Sequence, residues 1–484
     1  MRDIIGYEEK NPATMRHVCS AYPRFVVHPF IVRLTQHLAS TQPELAGRTL
    51  WLTSTGRMAD ALAEHLRKEA AARTVQADVR RFTKDDMHGV SFSGSASELG
   101  AAAKTFLQNI GGFFSSREAE DRLLRLKLLA ARHPEVTFPG DATAEIRRVL
   151  QRAFQACRDE DLLLTNSGMN AMYTAFVASS SIQSARGRTI WVQLGWLYRD
   201  TIAILQKFTA SPSDYVYIRD PLDLDAVSRI FSKFGARIAG VVAELPTNPL
   251  VRTPDLPALG RLCRSHGAHL IVDPSVASPF SVDVLGHADV AITSLTKYTA
   301  SEGDVIAGLI AINPAGGDAS VLRERCATLH EPLYSRDRAR LAAEIGETEA
   351  VVAQIGRNAA RVVEFLRAHP KIRDVFWARR EDSRANFDRI ARSPERIGGM
   401  VTFTIRDPLE PFVDRLRLPK GPSFGMKTTL ACPFMYMAHF DLTTTPAGIA
   451  ELAASGLDPD LMRLCVGTEP VEDIIDALKE ALGS

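Results

Sequence analysis

The chain has 484 residues, of which 45% are hydrophobic and 24% charged, so it can bury a large core and form two or more globular domains. A formal net charge of +1 gives no indication of a nucleic-acid partner, and six cysteines without a CxxC pair fit a reducing compartment and argue against a disulfide framework or a zinc site. No apolar run of about 20 residues predicts a membrane span and no N-terminal apolar segment predicts secretion, so we expect a cytoplasmic protein without a membrane partner.

The first 148 residues are expected to contain two units. Residues 1–73 are predicted to form an N-terminal arm and a first strand–helix unit, whereas residues 74–148 are charged and mixed in composition. The sequence predicts one strand and three helices in these units, at 47–53, 58–71, 98–109 and 117–132.

The remaining residues are expected to form a large and a small domain. Residues 149–335 alternate short apolar strands with helices, which is typical of an α/β fold with a doubly wound, mostly parallel sheet. Residues 336–484 are predicted to form a smaller α/β C-terminal domain. Its expected elements are a long helix, two strands and a closing helix, at 336–368, 375–377, 400–404 and 471–482.

Lys297 follows the apolar-rich stretch 288–293 and is the most informative residue of the chain. A lysine at the end of a buried strand can lose its charge by desolvation and become an amine nucleophile. Ser294 and Thr296, just before it, are placed to hold an anion. A Schiff base to pyridoxal phosphate needs both features, although Ser-x-Thr-Lys alone is more typical of a lysine that caps the edge of a buried strand.

Two further polar residues follow predicted strands upstream of this lysine. Asp273 ends the apolar run 269–273, and Asn248 follows the strand 238–244. Ligands of open α/β sheets bind at such carboxyl ends. A buried aspartate requires a positive partner, and a protonated pyridine nitrogen is one that keeps the ring an electron sink.

Gly168 lies between a predicted strand at 161–165 and a predicted helix at 171–179. A glycine at such a turn lets backbone N–H groups face a phosphate at the helix N-terminus. A similar run occurs at 53–58. The run around Gly168 is the preferred phosphate site, because the strands that lead to Asp273 and Lys297 follow it in the expected order.

Several segments resemble the cystathionine γ-synthase family of fold-type I pyridoxal-phosphate enzymes. Residues 244–249, 294–298 and 463–469 are similar to its ExPxNP, SxTKY and RxSxGxE segments. Further segments are similar to the long fungal-type γ-synthases, so that the ordered resemblance spans nearly the whole chain, at 6–9, 21–25, 115–120, 166–171, 198–201, 420–425, 430–433 and 438–440. The common short form of the family lacks residues 74–148, which therefore resemble an insertion.

The resemblance implies roles for residues around the cofactor pyridoxal 5'-phosphate. Lys297 is expected to form the Schiff base and to act as general base, Asp273 to pair with the ring nitrogen, and Tyr198 to stack on the ring. The phosphate is expected to bind Gly168, Met169, Ser294 and Thr296. Arg463 is expected to bind the α-carboxylate of an amino-acid substrate, assisted by Ser423 and by Asn248, which would also contact the cofactor.

Tyr22 and Arg24 resemble the Tyr-x-Arg arm that, in this family, enters the active site of a neighbouring subunit. The resemblance implies that Arg24 binds the cofactor phosphate and that Tyr22 lies near the substrate as a catalytic residue. It also implies a homo-oligomer with shared active sites, at least a dimer and usually a tetramer. Arg117 is an alternative candidate for binding phosphate or carboxylate.

The expected reaction is a γ-substitution that joins an activated homoserine ester to cysteine or another sulfur nucleophile, as in methionine biosynthesis and transsulfuration. A γ-lyase acting on a homoserine-derived amino acid would need the same residues, and a non-catalytic pyridoxal-phosphate-binding regulatory protein is an alternative of another class. The chain departs from the family pattern Gly-His-Ser-Asp after the lysine, because Glu302 stands at the histidine position. This difference puts the ordinary substrate in doubt.

Overall fold

The computed structural model describes residues 1–18, 26–93 and 96–483. The N-terminal part contains a three-stranded sheet and seven helices within these ranges: α1 (Arg2–Glu8), α2 (Pro12–Met15), α3 (Pro29–Thr41), β1 (Thr49–Thr53), α4 (Gly56–Ala72), β2 (Arg80–Lys84), β3 (Met87–Phe92), α5 (Ala96–Ile110), α6 (Ser116–Arg125) and α7 (Ala142–Ala153).

The N-terminal sheet is antiparallel, with the strand order β1-β3-β2. Apolar residues of α4 and α5 form a core with β3. The boundary expected between residues 73 and 74 divides this sheet, because β1 pairs with β3 across it. The helix expected at 117–132 ends at Arg125, since Lys127 adopts a left-handed conformation with φ of 59° that stops helix propagation.

The large domain contains a seven-stranded sheet with helices on both faces. Its elements are β4 (Leu162–Thr165), α8 (Gly168–Ser184), β5 (Ile190–Leu194), α9 (Arg199–Phe208), β6 (Tyr215–Ile218), α10 (Leu224–Phe234), β7 (Ile238–Glu244), α11 (Leu256–His266), β8 (His269–Asp273), β9 (Val290–Ser294), β10 (Gly308–Ile312) and α12 (Ala319–Leu329). The strand order is β4-β10-β9-β8-β7-β5-β6, and the direction of β10 is opposite to that of the other six strands. The expected doubly wound, mostly parallel α/β sheet is therefore confirmed.

The packing of this sheet places three strand ends at one edge. β7, β8 and β9 are adjacent and parallel, so that their carboxyl ends meet there. Helices α8, α9 and α12 cover one face of the sheet, and α7, α10 and α11 cover the other. All residues of β7 are buried, which matches its continuous apolar run.

The C-terminal domain packs helices against a four-stranded antiparallel sheet of order β11-β12-β14-β13. Its elements are α13 (Ser335–Glu344), α14 (Thr348–Ala368), β11 (Ile372–Phe376), α15 (Arg384–Ile390), β12 (Met400–Ile405), α16 (Leu409–Arg415), β13 (Leu430–Pro433), α17 (Phe434–Ala438), α18 (Phe440–Thr443), α19 (Pro446–Ala454), β14 (Met462–Cys465) and α20 (Val471–Leu482). The single helix expected at 336–368 is two helices, because a 3₁₀ turn containing Gly346 interrupts it. Across the described ranges, no helix is both long and apolar enough to cross a membrane.

Candidate active site

Ser275 connects the aspartate strand to the lysine strand at the sheet edge. Its backbone N–H donates to Oδ1 of Asp273 at 2.8 Å, and its hydroxyl accepts from the backbone N–H of Ser294 at 2.9 Å. Asp273 ends β8 and Ser294 ends β9. Sequence reasoning missed Ser275, because a serine just after a strand is typical of any turn.

Two carboxyl groups lie at neighbouring strand ends, since Glu244 and Asp273 are paired in register. Burial raises the pKa of Asp273 to about 6, while hydrogen bonds from Ser275 and the positive charge of Lys297 oppose the rise. Burial, followed by the charge of Asp273, raises the pKa of Glu244 well above its ordinary value. The space at the carboxyl ends of β7, β8 and β9, called the cleft below, is therefore suited to a positively charged partner for Asp273, such as a protonated pyridine nitrogen.

Lys297 lies between the two domains. Its Nζ donates to Oγ of Ser423 at 2.9 Å and lies 4.8 Å from the ring centroid of Phe424. Both contacts come from the loop that precedes β13. The C-terminal domain therefore orients the amine that the large domain carries.

Tyr298, the residue after Lys297, packs against the same loop, which precedes β13. Its hydroxyl donates to the carbonyl of Val276 at 2.7 Å and accepts from the backbone N–H of Gly399 at 3.0 Å. Gly425, with φ of +71°, packs so closely on this tyrosine that a Cβ there would lie 2.6 Å from the Tyr298 nitrogen. The position of Lys297 thus depends on contacts from three separate segments.

The turn before α8 packs directly against the lysine strand. Ser167 caps the helix by accepting from the backbone N–H of Asn170 at 3.1 Å. A Cβ on Gly168 would lie 2.8 Å from Cβ of Ser294, so only glycine allows this approach. The N-terminus of α8 and the Ser294 hydroxyl consequently form a cradle of the kind that binds a phosphate. Met169, the next residue of the helix, is buried.

Thr296 is engaged differently from Ser294. Its hydroxyl accepts from the backbone N–H of Ala307 at 3.1 Å and donates to the carbonyl of the same residue at 3.3 Å. These bonds fasten the start of the lysine loop to its end. Ser294 is therefore the hydroxyl that borders the turn at Gly168.

Arg463 is a buried cation beside the lysine, with 1% of its surface exposed. One Nη donates to Oδ1 of Asn248 at 3.0 Å and the other donates to the carbonyl of Pro422. Its Nε has no hydrogen-bond partner, and within the described residues no carboxylate pairs with the guanidinium. A buried positive charge of this kind fits an anionic ligand such as an α-carboxylate.

Tyr198 is the N-cap residue just before α9, and its backbone N–H donates to the carboxylate of Glu244. The structure thereby brings Tyr198 to the same sheet edge as Asp273. Tyr22 and Arg24 lie outside the described residues.

Arg117 is occupied by carboxylates of the chain. Its guanidinium contacts Glu135 at 2.7 Å, Asp337 at 3.0 Å and Asp304 at 3.2 Å. These contacts use all three of its nitrogens, so the structure disfavours Arg117 as a ligand for a phosphate or a substrate.

Glu302 is paired at the protein surface. Its carboxylate lies 2.6 Å from Nζ of Lys427, which also lies 2.7 Å from Glu347. The ammonium of Lys427 compensates the negative charge that Glu302 introduces near the lysine loop.

The similar glycine turn at 53–58 binds a carboxylate of the chain. The hydroxyls of Ser54 and Thr55 and the guanidinium of Arg57 all donate to Glu331, which is fully buried. The preference for the turn at Gly168 as the phosphate site agrees with this arrangement.

The family model for Cys/Met metabolism PLP-dependent enzymes matches residues 143–483. The chain belongs to this family. The match includes Gly168, Asp273, Lys297 and Arg463, so the Cys/Met-metabolism enzyme depends on pyridoxal phosphate. The residues gathered in the cleft fit this cofactor, because they offer an amine, a carboxylate for the ring nitrogen and a helix N-terminus for the phosphate.

Three relatives illustrate the range of the family. Over 99% of this chain and 94% of its own length, the L-2-amino-4-chloropent-4-enoate dechlorinase/desaturase of Streptantibioticus cattleyicolor is 37% identical. Cystathionine gamma-synthase of Neurospora crassa is 28% identical over 68% of this chain and 53% of its own length. The corresponding Saccharomyces cerevisiae enzyme is 28% identical over 72% of this chain and 56% of its own length.

Solved structures confirm the fold-type I architecture of this Cys/Met-metabolism enzyme. Cystathionine gamma synthase of Xanthomonas oryzae pv. oryzae, in complex with aminoacrylate and cysteine, superposes with a TM-score of 0.60 at 22% identity. The superposition covers 71% of this chain and 86% of that structure. The resemblance to the cystathionine γ-synthase family, fungal members included, is likewise confirmed. Membership of an enzyme family disfavours the alternative of a non-catalytic regulatory protein.

Proposed function

We propose that the cleft at the ends of β7, β8 and β9 holds pyridoxal phosphate in covalent linkage to Lys297. The phosphate would lie on the N-terminus of α8, between Gly168 with Met169 and the hydroxyl of Ser294. Asp273 would pair with the ring nitrogen. Two observations support this arrangement: the close packing of Gly168 on Ser294, and the buried carboxyl group that lies near Lys297.

The amino-acid substrate would be oriented by its carboxylate. Arg463 offers a buried guanidinium that no described carboxylate pairs with, and its Nε has no hydrogen-bond partner. Asn248 holds that guanidinium in place through a 3.0 Å hydrogen bond. Tyr198 would lie against the cofactor ring from the adjacent strand end. With the carboxylate fixed at Arg463, the α-carbon would be directed towards the amine of Lys297.

Proton transfer is proposed to depend on Lys297 and Ser423. When bound, pyridoxal phosphate supplies an electron sink that stabilises negative charge at the α-carbon. As a neutral amine, Lys297 would take the α-proton as general base and would then move protons at the β-carbon. Ser423, 2.9 Å from Nζ, orients the free amine during both transfers. A leaving group on the γ-carbon departs with its bonding electrons.

We propose that this leaving group is chloride and that the enzyme acts on a 2-amino-4-chloro acid such as L-2-amino-4-chloropent-4-enoate. A single observation carries this proposal: the likeness to the dechlorinase/desaturase extends over 99% of this chain. It therefore includes the N-terminal 142 residues that precede the family segment at 143–483. The net reaction releases HCl: the C–Cl bond breaks to give chloride, a proton leaves carbon, and the product gains one carbon–carbon π bond.

The test is incubation of the purified holoenzyme with L-2-amino-4-chloropent-4-enoate. We expect chloride release and a product whose mass is lower by one HCl and whose amino group is retained. Ammonia and a keto acid in equal amounts to chloride would instead indicate a γ-lyase. The absence of chloride release, while the visible absorbance of the cofactor still responds to the substrate, would refute the proposed leaving group. Lys297→Ala, which lacks the amine, is the control for uncatalysed loss of chloride.

A second candidate is γ-substitution on an activated homoserine ester with cysteine, as in cystathionine γ-synthase. The fungal γ-synthases, each 28% identical to this chain, favour it. Incubation with O-acetylhomoserine and cysteine would yield cystathionine, and a place in transsulfuration and methionine biosynthesis would follow. Ketobutyrate as the main product in the presence of cysteine would indicate a lyase instead.

We further propose that the enzyme is a cytoplasmic homo-oligomer, a dimer or tetramer in which Tyr22 and Arg24 reach the active site of a neighbouring subunit. Their likeness to the family's Tyr-x-Arg arm supports this proposal. Mixing inactive Arg24→Ala and Lys297→Ala proteins should restore activity if sites are shared, because some mixed sites then contain both native residues. If activity is not restored although subunit exchange is confirmed, the proposal of shared active sites is contradicted.

A further inference from the structure

The N-terminal sheet unit contacts the turn to which we assign the cofactor phosphate. The contact lies where α5 ends, at Ile110 and Gly111. Nδ2 of Asn166 donates to the carbonyl of Gly111 at 2.8 Å, and Nδ2 of Asn170 donates to the carbonyl of Ile110 at 3.1 Å. Both asparagines flank Gly168. The turn is thus held by a part of the chain that lies outside the family segment at 143–483.

At Gly111 the N-terminal unit packs tightly against the phosphate turn. The φ of this glycine is +69°, and a Cβ built on it would lie 2.4 Å from Oγ of Ser167 and 2.6 Å from the backbone nitrogen of Asn170. These two atoms form the N-cap hydrogen bond of α8, at 3.1 Å. Any side chain at residue 111 would therefore push on the atoms that set the orientation of the helix N-terminus.

A second contact, with Glu331, also holds the turn. Oδ1 of Asn170 accepts from the backbone N–H of Glu331 at 2.8 Å, and the backbone N–H of Asn166 donates to the carbonyl of Glu331 at 2.9 Å. The buried carboxylate of Glu331 in turn binds Ser54, Thr55 and Arg57 of the N-terminal unit. The glycine turn at 53–58 thus acts on the turn at Gly168 through Glu331.

We propose that the N-terminal unit is a support for the phosphate turn, and that Gly111 is its positioning residue. This inference rests on the assignment of the cofactor phosphate to Gly168 and Ser294. Gly111 itself touches neither cofactor nor substrate. Its role is to let the backbone at 110–111 approach Ser167 and Asn170, so that the N–H groups at the start of α8 point at the phosphate.

The chain offers a matched control for this proposal. Gly47 has the same φ of +69° as Gly111, but a Cβ on Gly47 would meet nothing within 4 Å. Gly47→Ala and Gly111→Ala therefore both place an alanine at a φ of +69° within the N-terminal part of the chain, and they differ in the contact with the phosphate turn. A difference between the two variants reports on that contact alone.

The experiment measures dissociation constants of the cofactor-free protein for pyridoxal phosphate and for pyridoxal, which lacks the phosphate. We expect Gly111→Ala to weaken pyridoxal-phosphate binding at least tenfold and to change pyridoxal binding less than twofold. Gly47→Ala should change neither by more than twofold. An unchanged ratio of the two constants in Gly111→Ala would overturn the proposal, because a general loss of stability would weaken both ligands together.

Two further variants keep the result interpretable. Ser294→Ala should lower affinity for pyridoxal phosphate and not for pyridoxal; if it alters neither, the phosphate assignment itself is wrong. If it alters the ratio and Gly111→Ala does not, only the supporting role of Gly111 fails. Should Gly111→Ala not fold, Asn166→Ala removes the 2.8 Å hydrogen bond to Gly111 and is expected to change the ratio about threefold. An unchanged ratio in Asn166→Ala would then overturn the proposal.

Discussion

The carboxyl group of Asp273 should make the stability of the cofactor-free protein depend on pH. Burial raises the pKa of Asp273 to about 6, from the ordinary value of 3.8. This difference corresponds to about 3 kcal/mol, since one pKa unit is worth about 1.4 kcal/mol. Because the folded protein binds the proton more tightly than the unfolded chain, this contribution is fully present below about pH 4 and is lost as the pH rises to about 6.

Replacing Asp273 with asparagine removes the titrating group and keeps the size of the side chain. The free energy of unfolding, measured with urea for both proteins from pH 4 to pH 8, should shift in favour of Asp273→Asn by about 3 kcal/mol across this range. Groups that do not interact with Asp273 titrate alike in both proteins and cancel in the difference. Glu244, whose pKa the charge of Asp273 raises, adds to the shift in the same direction. Cofactor binding should reduce the shift, because a positive ring nitrogen stabilises the ionised aspartate.

A difference between the two proteins that stays constant from pH 4 to pH 8 would refute this reasoning. It would mean that Asp273 is hydrated like a surface carboxylate, and the argument that it requires a positive partner would fail with it.

Three other substitutions test the remaining roles. Arg463→Lys keeps the charge but not the planar fork, so steady-state kcat/KM should fall about tenfold to hundredfold, a loss of transition-state stabilisation of about 1.5–3 kcal/mol. A substrate whose α-carboxylate is replaced by an amide should not show this loss. Ser423→Ala should lower kcat about tenfold and increase the kinetic isotope effect of an α-deuterated substrate, because the hydrogen bond that orients Lys297 is lost; an unchanged isotope effect would contradict this role. Arg117→Met should lower the free energy of unfolding by about 3–5 kcal/mol in urea and leave cofactor affinity unchanged, since the buried Asp337 keeps its hydrogen bond from Ser115 but loses its cationic partner. Weakened cofactor binding would instead support Arg117 as a ligand of the active site.

The sequence was informative where one short segment contains both a structural signal and a chemical group. β8 is an apolar run that ends in Asp273, and β9 leads to Lys297 in the same way. Parallel strands bring such ends to one edge, so the meeting of these two residues could be predicted. The closing helix at 471–482 was also predicted, because its apolar spacing repeats without interruption.

Contacts between distant segments could not be predicted from local patterns. Ser275 has the appearance of a turn residue, and its role depends on the neighbouring strand. β1 and β3 belong to one sheet although 33 residues separate Thr53 from Met87, which the composition change near residue 74 concealed. Gly111 likewise has no neighbour in sequence that indicates its approach to Ser167.

The hydroxyl of Tyr298 acts as a latch between the two domains. It bonds to the large domain at Val276 and to the C-terminal domain at Gly399, and both bonds are buried. A hinge motion that separated the domains would have to break the bond to Gly399 next to the reactive lysine, leaving a buried backbone N–H without a partner. Substitutions that displace Gly399 in the C-terminal domain should therefore act on Tyr298 and, through it, on the adjacent Lys297.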